Sequence, residues 1–366
     1  MISWHCQSQS VVWRKKNHTK MLAQVLFQDS SERFRSAQAI VNANTPIVRV
    51  KDRVTGIKCD LNAASRMGVV NSAFIRFCAD SDSRVKDLMM VVKVFASRHG
   101  LTGSGRGSHF SSYGLVLLVI FFLQTQGFLH PVNVLQEVPG LPVVQIDDYN
   151  FSFCTDLSVL CPLQPITSLV DLLQSFFQYF SQFTFGSQVV CPLLGQPVLI
   201  YSLRHDVFLP PCLQGCNRGK DKLKLGRPVI IQDPFELRRN VAGSVSPVRL
   251  DKLVRVFGTA ARLLEREGLL GASSSKAGQV LVRLMDPDFG SCLEGVELLP
   301  MSQQRRCSIN ETCCNPEGPN STEVLHEDQD ITSKDSKPVC KTAVCTLGQV
   351  AAEYYLPEDD DCVNWK

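Results

Sequence analysis

Near residue 61 the hydrophobic period of the chain changes, and that change limits the possible folds more than any other feature. Upstream, Pro46-Ile-Val-Arg-Val50 and Ile57-Lys-Cys-Asp-Leu61 flank a turn at Asp52–Gly56 and predict a β-hairpin, with Asp60 in its second strand. Downstream, Val85, Leu88, Met89, Val92 and Phe95 recur at three- and four-residue spacing behind Asp82, an N-cap, and ahead of Gly100, a C-cap. Strand signals followed by a run of helical signals predict an α+β fold.

The helical part continues. A Gly/Ser-rich loop at Gly103–Ser108 precedes a helix from Ser111-Ser-Tyr113 to about Gln126. Pro131–Pro142 is a connector, and Ile166–Phe183 is amphipathic, with Leu169, Leu172, Leu173, Phe176, Phe177 and Phe180 on one face. Val189–Tyr201 and Pro228–Gln232 read as strands around a basic loop, Arg218–Arg227. Pro247 starts a helix over Val248–Glu265. Residues 1–44 show no clear period, residues 271–306 read as a linker, and residues 307–366 as a disordered acidic tail.

Composition removes several function classes. A content of 44% hydrophobic and 20% charged residues excludes collagen-like, mucin-like and wholly disordered chains. The longest apolar run, Leu115–Leu123, is roughly half of the ~20 residues a membrane span needs, so a buried helix and no membrane partner are expected. Fifteen cysteines spread over 366 residues without a signal peptide read as reduced thiols. Residues 307–366 hold twelve acids and four lysines, a net of −8, which leaves +11 on residues 1–306 of a chain whose total is +3. A basic body with an acidic tail suits a polyanionic partner such as RNA. The cations Arg14, Lys15, Lys16 and Lys20 precede the first acid, Asp29, without the amphipathic arginine pattern of a transit peptide.

Individual residues have ordinary explanations when taken alone: an exposed strand Asp60, a snorkelling Lys93, a helix cap around Tyr113. Together they carry a resemblance. Thr55-Gly-Ile-Lys-Cys-Asp60-Leu, Arg66-Met-Gly-Val-Val-Asn71-Ser72, Asp82-Ser-Arg84-Val-Lys-Asp-Leu, Val92-Lys93, Ser111-Ser-Tyr113-Gly-Leu and Gln232-Asp-Pro-Phe-Glu236-Leu-Arg-Arg-Asn240-Val-Ala occur in that order. The chain resembles the noncanonical poly(A) polymerase and terminal uridylyltransferase family of polymerase-beta-like nucleotidyltransferases, over roughly residues 40–265. Its nearest flavour is the nuclear enzyme that uridylates small nuclear RNA, and the mitochondrial poly(A) polymerase is second.

The resemblance implies a partial palm hairpin over residues 45–66, the remnant of a mixed sheet, and a mainly helical central, poly(A)-polymerase-associated domain over residues 67–270. It implies that Asp60 is one of three carboxylates holding two Mg2+ ions, or Mn2+ in their place. Asn71 and Ser72 would bind ribose and triphosphate, Lys93 would neutralise phosphate, Ser112 would reach the triphosphate, and Tyr113 would stack on the base. Asp233, Glu236 and Arg239 lie on the loop that reads the base edge. The implied partners are UTP or ATP and a single-stranded RNA 3′ end, with no DNA, in the nucleus or, alternatively, in mitochondria or cytoplasm.

The departures are informative. The family's Gly-Ser loop and Asp-x-Asp pair precede the third carboxylate, yet the first glycine here is Gly56 and the acids before Asp60 are Asp29, Glu32 and Asp52. Asp80-Ser-Asp82, Asp286-Pro-Asp288 and Asp328-Gln-Asp330 have the letters in the wrong places. Ser65 and Ser97 stand where the family has asparagine and a second phosphate-binding cation. Arg239 replaces the histidine of uridylyl-preferring members; it only donates, and both uracil and adenine offer acceptors, so it does not choose between UTP and ATP. Cys212-x-x-x-Cys216 and Cys313-Cys314 lack the partner pair of a zinc ribbon. The sequence therefore predicts an RNA 3′-terminal nucleotidyltransferase, adding UMP or AMP, in a form that looks N-terminally incomplete and inactive or weak alone. The alternative is a noncatalytic RNA-binding adaptor that keeps the helical domain.

Overall fold

The computed structural model describes residues 16–28, 33–42, 46–62, 66–103, 109–159, 168–219, 222–267 and 274–289. The expected acidic tail, Ser65, most of the Gly/Ser-rich loop and Cys313-Cys314 lie outside them.

The sheet is larger than a hairpin. A helix, α1, at residues 16–28 leads into β1 (Phe34–Ile40), β2 (Ile47–Asp52) and β3 (Lys58–Leu61), an antiparallel meander of order β1-β2-β3. Residues 1–44, without a readable period, thus contain a helix and a strand. The turn between β2 and β3 is built by Asp52, whose Oδ1 accepts from the Val54 and Thr55 amides and the Thr55 hydroxyl, and by Gly56 at φ +73°. Val48 and Val50 point to one face and bury against Ala23, Leu22 and Leu26 of α1, a small core of its own.

The helical body follows. α2 (Met67–Ser81) abuts α3 (Ser83–Arg98), whose N-cap Asp82 accepts from the Arg84 amide, as expected. α4 (Ser112–Thr125) is capped by Ser111, which accepts from the Gly114 amide, and is buried on every side from Gly114 to Gln124. The apolar run is a central core helix. α5 (Val132–Gln136) and the two-residue strands β4 (Gln145–Ile146) and β5 (Tyr149–Asn150) fill the connector. α6 (Leu169–Gln182) buries all six residues of its expected apolar face. Its Phe176 and Phe177 meet Phe257 of α8 (Pro247–Glu267) at centroid distances of 5.6 and 5.1 Å, and Phe177 meets Phe95 of α3 at 4.6 Å.

Three expectations change. Pro228–Gln232 is not a strand element: it holds only isolated bridges, Ile231 to Val190 and Gln232 to Asn240. The span Val189–Tyr201 is not one strand: β6 (Gln188–Val189) and β7 (Val198–Leu199) pair across a turn, and Tyr201 belongs to a short helix, α7 (Ile200–His205). Gly195 in that turn has φ +62°, and a Cβ there would stand 2.8 Å from Pro131 Cγ, so the chain needs glycine. Residues 271–306 are not wholly linker. Ser274–Leu284 forms α9, and Val280, Leu281 and Leu284 join the main core with Met285 and Phe289 beyond. His99 Nε2 donates to the Leu284 carbonyl at 2.8 Å, tying α9 to the end of α3.

Candidate functional site

The loop after Ile231 is the most tightly organised polar structure in the described chain. Asp233 is fully buried, and its Oδ1 accepts from the amides of Phe235 and Glu236, both at 3.0 Å. Gln232, also fully buried, donates to the Leu237 carbonyl and accepts from the Cys191 thiol. Asn240 closes the loop: its Oδ1 accepts from the Ile231 and Ala242 amides, and its Nδ2 donates to the Val229 carbonyl. Gln232 and Asn240 thus hold the loop's shape, a structural part that no motif in the sequence assigns to them. Polar residues bracketing an apolar strand end were the available signal.

Phe235 fixes the loop to the body. Its ring stacks on Phe151 at 5.2 Å and meets Phe74 of α2 edge-on at 5.3 Å. Phe74 lies one turn beyond Asn71, so the loop is held beside the helix that carries that asparagine. Asn71 is 7% exposed, and its Oδ1 is a buried acceptor without a hydrogen-bond partner among the described residues.

From the other side comes Tyr113, in the first turn of α4 after Ser112. Its hydroxyl donates to Asp233 Oδ2 at 3.0 Å across a separation of 120 residues. Burial, and then the Asp233 carboxylate, push the phenol well above its usual pKa, so it stays a neutral donor. Glu236 accepts from Arg239 at 2.8 Å, and Arg239 reaches Asp233 at 3.8 Å while remaining 47% exposed. Burial, then the neighbouring Asp233, raise the Glu236 pKa against the opposing pull of Arg239. The outcome is a tyrosine ring beside a carboxylate–guanidinium pair that has donors left to offer.

The other expected residues stand as follows. Ser72 is exposed and donates to the Gly68 carbonyl. Lys93 is partly buried on α3. Asp60 is exposed on β3, where its two oxygens accept from Arg49 Nε and Nη2, both at 2.8 Å, directly across the ladder. It shares no hydrogen bond or ion pair with the loop residues. Among the described residues no group of three or more His, Cys, Asp or Glu could hold a metal ion. One arginine-paired carboxylate does not by itself fit a two-magnesium site.

Helical body, short sheet and loop together have the fold of solved poly(A) and poly(U) polymerases. Residues 4–80 match the family model for the central palm domain of mitochondrial-like poly(A) RNA polymerases. The chain is 30% identical over 268 residues to the rat speckle-targeted PIP5K1A-regulated poly(A) polymerase, covering 72% of this chain and 29% of that protein. It is 30% identical over 235 residues to the human mitochondrial poly(A) RNA polymerase, covering 63% and 36%. The crystal structure of mitochondrial poly(A) polymerase with UTP superposes with a TM-score of 0.59 at 24% identity, covering 74% of this chain and 53% of that one. The Cid1 poly(U) polymerase with Mg and 3′-dATP bound gives 0.54 at 24% identity, covering 67% and 72%. The chain is related over 72% of its length to speckle-targeted poly(A) polymerases, and it spans about three-tenths of the length of those relatives.

Proposed function

We propose that this chain forms the nucleotide-holding part of an RNA 3′-terminal nucleotidyltransferase that takes UTP or ATP. The observation that carries the reading is the Tyr113–Asp233 hydrogen bond, which locks an aromatic ring at the α4 N-terminus against the base-edge loop. The base stacks on Tyr113. Arg239 donates to acceptors on the base edge, and Glu236 accepts from an imide or amino group. Asp233, with both oxygens already engaged by the protein, is a positioning residue. The unpartnered Asn71 Oδ1 suits a ribose hydroxyl, which donates. Ser112, the first-turn amides of α4 and the Lys93 charge favour the triphosphate.

Transfer joins the RNA 3′ oxygen to the α-phosphorus, breaks the α–β bridge and releases pyrophosphate. Asp60 is the one metal carboxylate this reading assigns among the described residues, so this chain alone catalyses that step weakly or not at all. Magnesium, when bound by a full set of ligands, supplies activation of the 3′ oxygen and stabilisation of the leaving group. The pairing of Asp60 with Arg49 favours a second reading as well, in which the chain binds nucleotide and RNA without transferring. We place its site of action in the nucleus, by analogy with relatives named as speckle-targeted.

The test is thermal denaturation with UTP and with ATP, each with and without magnesium. Either nucleotide raises the melting temperature of the native chain, and Tyr113→Ala abolishes the rise. Extension of a labelled single-stranded RNA separates the two readings. Extension lost in Asp60→Ala supports transfer, and none from folded protein supports binding alone. No nucleotide-induced rise in the native chain would overturn the reading.

A further inference from the structure

Between the strand piece ending at Val190 and its return at Ile231 the chain makes a long excursion. Val190 and Ile231 pair in parallel, with Gln232 N donating to Val190 O at 3.0 Å, so the excursion rejoins the fold two residues before Asp233. Residues 201–227 hold six lysines and arginines against two aspartates, a net of +4 in a chain whose total is +3. Asp206, one of the two acids, is occupied by Arg218 and by the Gly215 amide. Arg204, Lys222, Lys224 and Arg227 are exposed and form no ion pair among the described residues. The backbone is fixed by Leu223 N donating to Cys216 O and by buried Leu213, Cys216 and Leu223 beneath.

In the same excursion two aromatic rings face solvent. Tyr201 is 63% exposed, with its ring tilted against His205 at a centroid distance of 4.5 Å. Phe208 is 95% exposed, and its φ of +54° is a conformation that bulky residues rarely adopt. Asp206, at φ +56°, and the Val207 amide bonded to the Ser202 carbonyl set up this presentation. A merely solvated charged surface has no use for a phenylalanine held outward in a left-handed backbone. An apolar protein partner covering the excursion would have to desolvate its cations. Rings that accept a base face, set among cations that accept phosphates, are the chemistry of single-stranded nucleic acid binding.

We infer that the 201–227 excursion is an auxiliary binding surface for single-stranded RNA, with a base stacked on Phe208 and the backbone tracked by Lys222, Lys224 and neighbouring cations. The inference extends the 3′-end reading above and rests on it for the identity of the strand. A tract held here is anchored on the segment that continues into the base-edge loop.

The experiment is a fluorescence-anisotropy titration of the full chain with a labelled single-stranded RNA 20-mer at several salt concentrations. Phe208→Ala weakens binding by about 5- to 140-fold, the range of one base–aromatic stack, and Phe208→Trp restores it. The Lys222→Ala/Lys224→Ala double variant lowers the slope of log affinity against log salt by roughly 1.4, and Phe208→Ala leaves that slope unchanged. Phe208 is exposed, so its variants keep the native melting temperature. Binding unchanged in both variants overturns the inference. So does a native chain that ignores RNA but binds phosphatidylserine vesicles. The nucleotide-induced melting shift is read on the same samples: its persistence in Phe208→Ala separates this surface from the Tyr113 site, and its absence from the native chain counts against that site alone.

Discussion

Tyr113→Phe removes one oxygen and nothing else, so its consequence can be worked from the structure. The hydroxyl donates at 3.0 Å to Oδ2 of a carboxylate with no solvent exposure. A hydrogen bond to a charged group contributes about 1.5–3 kcal/mol, and the loss falls near the lower end because Oδ1 keeps two amides and Arg239 stays at 3.8 Å. A loss of about 1.5–2 kcal/mol corresponds to a melting-temperature drop of roughly 3–8 °C for a body of this size. Scanning calorimetry at neutral pH measures it. The pH dependence has a defined sign: the folded phenol is raised above the ordinary value of 10.0, so its contribution is fully present below about pH 10 and is lost as pH rises further. The phenylalanine variant lacks that alkaline component. A variant melting within about 1 °C of the native chain would refute the account of Asp233 as a buried acceptor dependent on Tyr113.

Three further outcomes follow from the packing. Burial holds the His99 pKa below 6.5, so the stability that neutral His99 lends is complete above that pH and fades as pH falls through the lowered value. His99→Gln, which can still donate to the Leu284 carbonyl, flattens the loss of melting temperature between pH 7 and 5; an equally steep loss would count against the role of the α3–α9 contact. Gly195→Ala costs about 2–4 kcal/mol in denaturant unfolding, from the left-handed backbone and the 2.8 Å approach to Pro131, and an unaffected midpoint would show that the turn yields. Arg49→Ala costs less than about 1 kcal/mol, because the Arg49 and Asp60 side chains are 43% and 42% exposed; a larger loss would mean the pair organises the sheet.

How much of this could be read in the sequence depended on how each element is buried. α3, α6 and α8 bury wide apolar stripes, so their residues recur at helical spacing. α4 gave itself away by an unbroken apolar run. α1 did not, because its inward face is Thr19, Leu22, Ala23 and Leu26, small and partly polar, against a small sheet. β1 is an edge strand rich in Ala, Ser and Gln with a register shift between Phe34 and Ser36, which blurs any alternation. α9 begins with serines and contains Gly278, weak helix formers whose helix depends on packing through Leu281 and Leu284.

The candidate site divides similarly. Its residue types were visible as blocks through their family resemblance, but the Tyr113–Asp233 contact joins positions 120 residues apart and has no local signature. The pairing of Arg49 with Asp60 follows from hairpin register, which places them opposite once the Asp52–Gly56 turn is fixed. The resemblance set Asp233 among base-reading residues; the structure occupies both its oxygens with protein donors, which leaves Arg239, 47% exposed, and its largely buried partner Glu236 as the charged pair of the loop.

Photocrosslinking of 4-thio-UTP and of 8-azido-ATP to the native chain, followed by peptide mapping, reports where the nucleotide sits. Saturable adducts are expected on Tyr113 or on the Phe235–Arg239 loop, competed by unmodified nucleotide and lost in Tyr113→Ala. Adducts confined to other segments, or labelling that does not saturate, would contradict this placement.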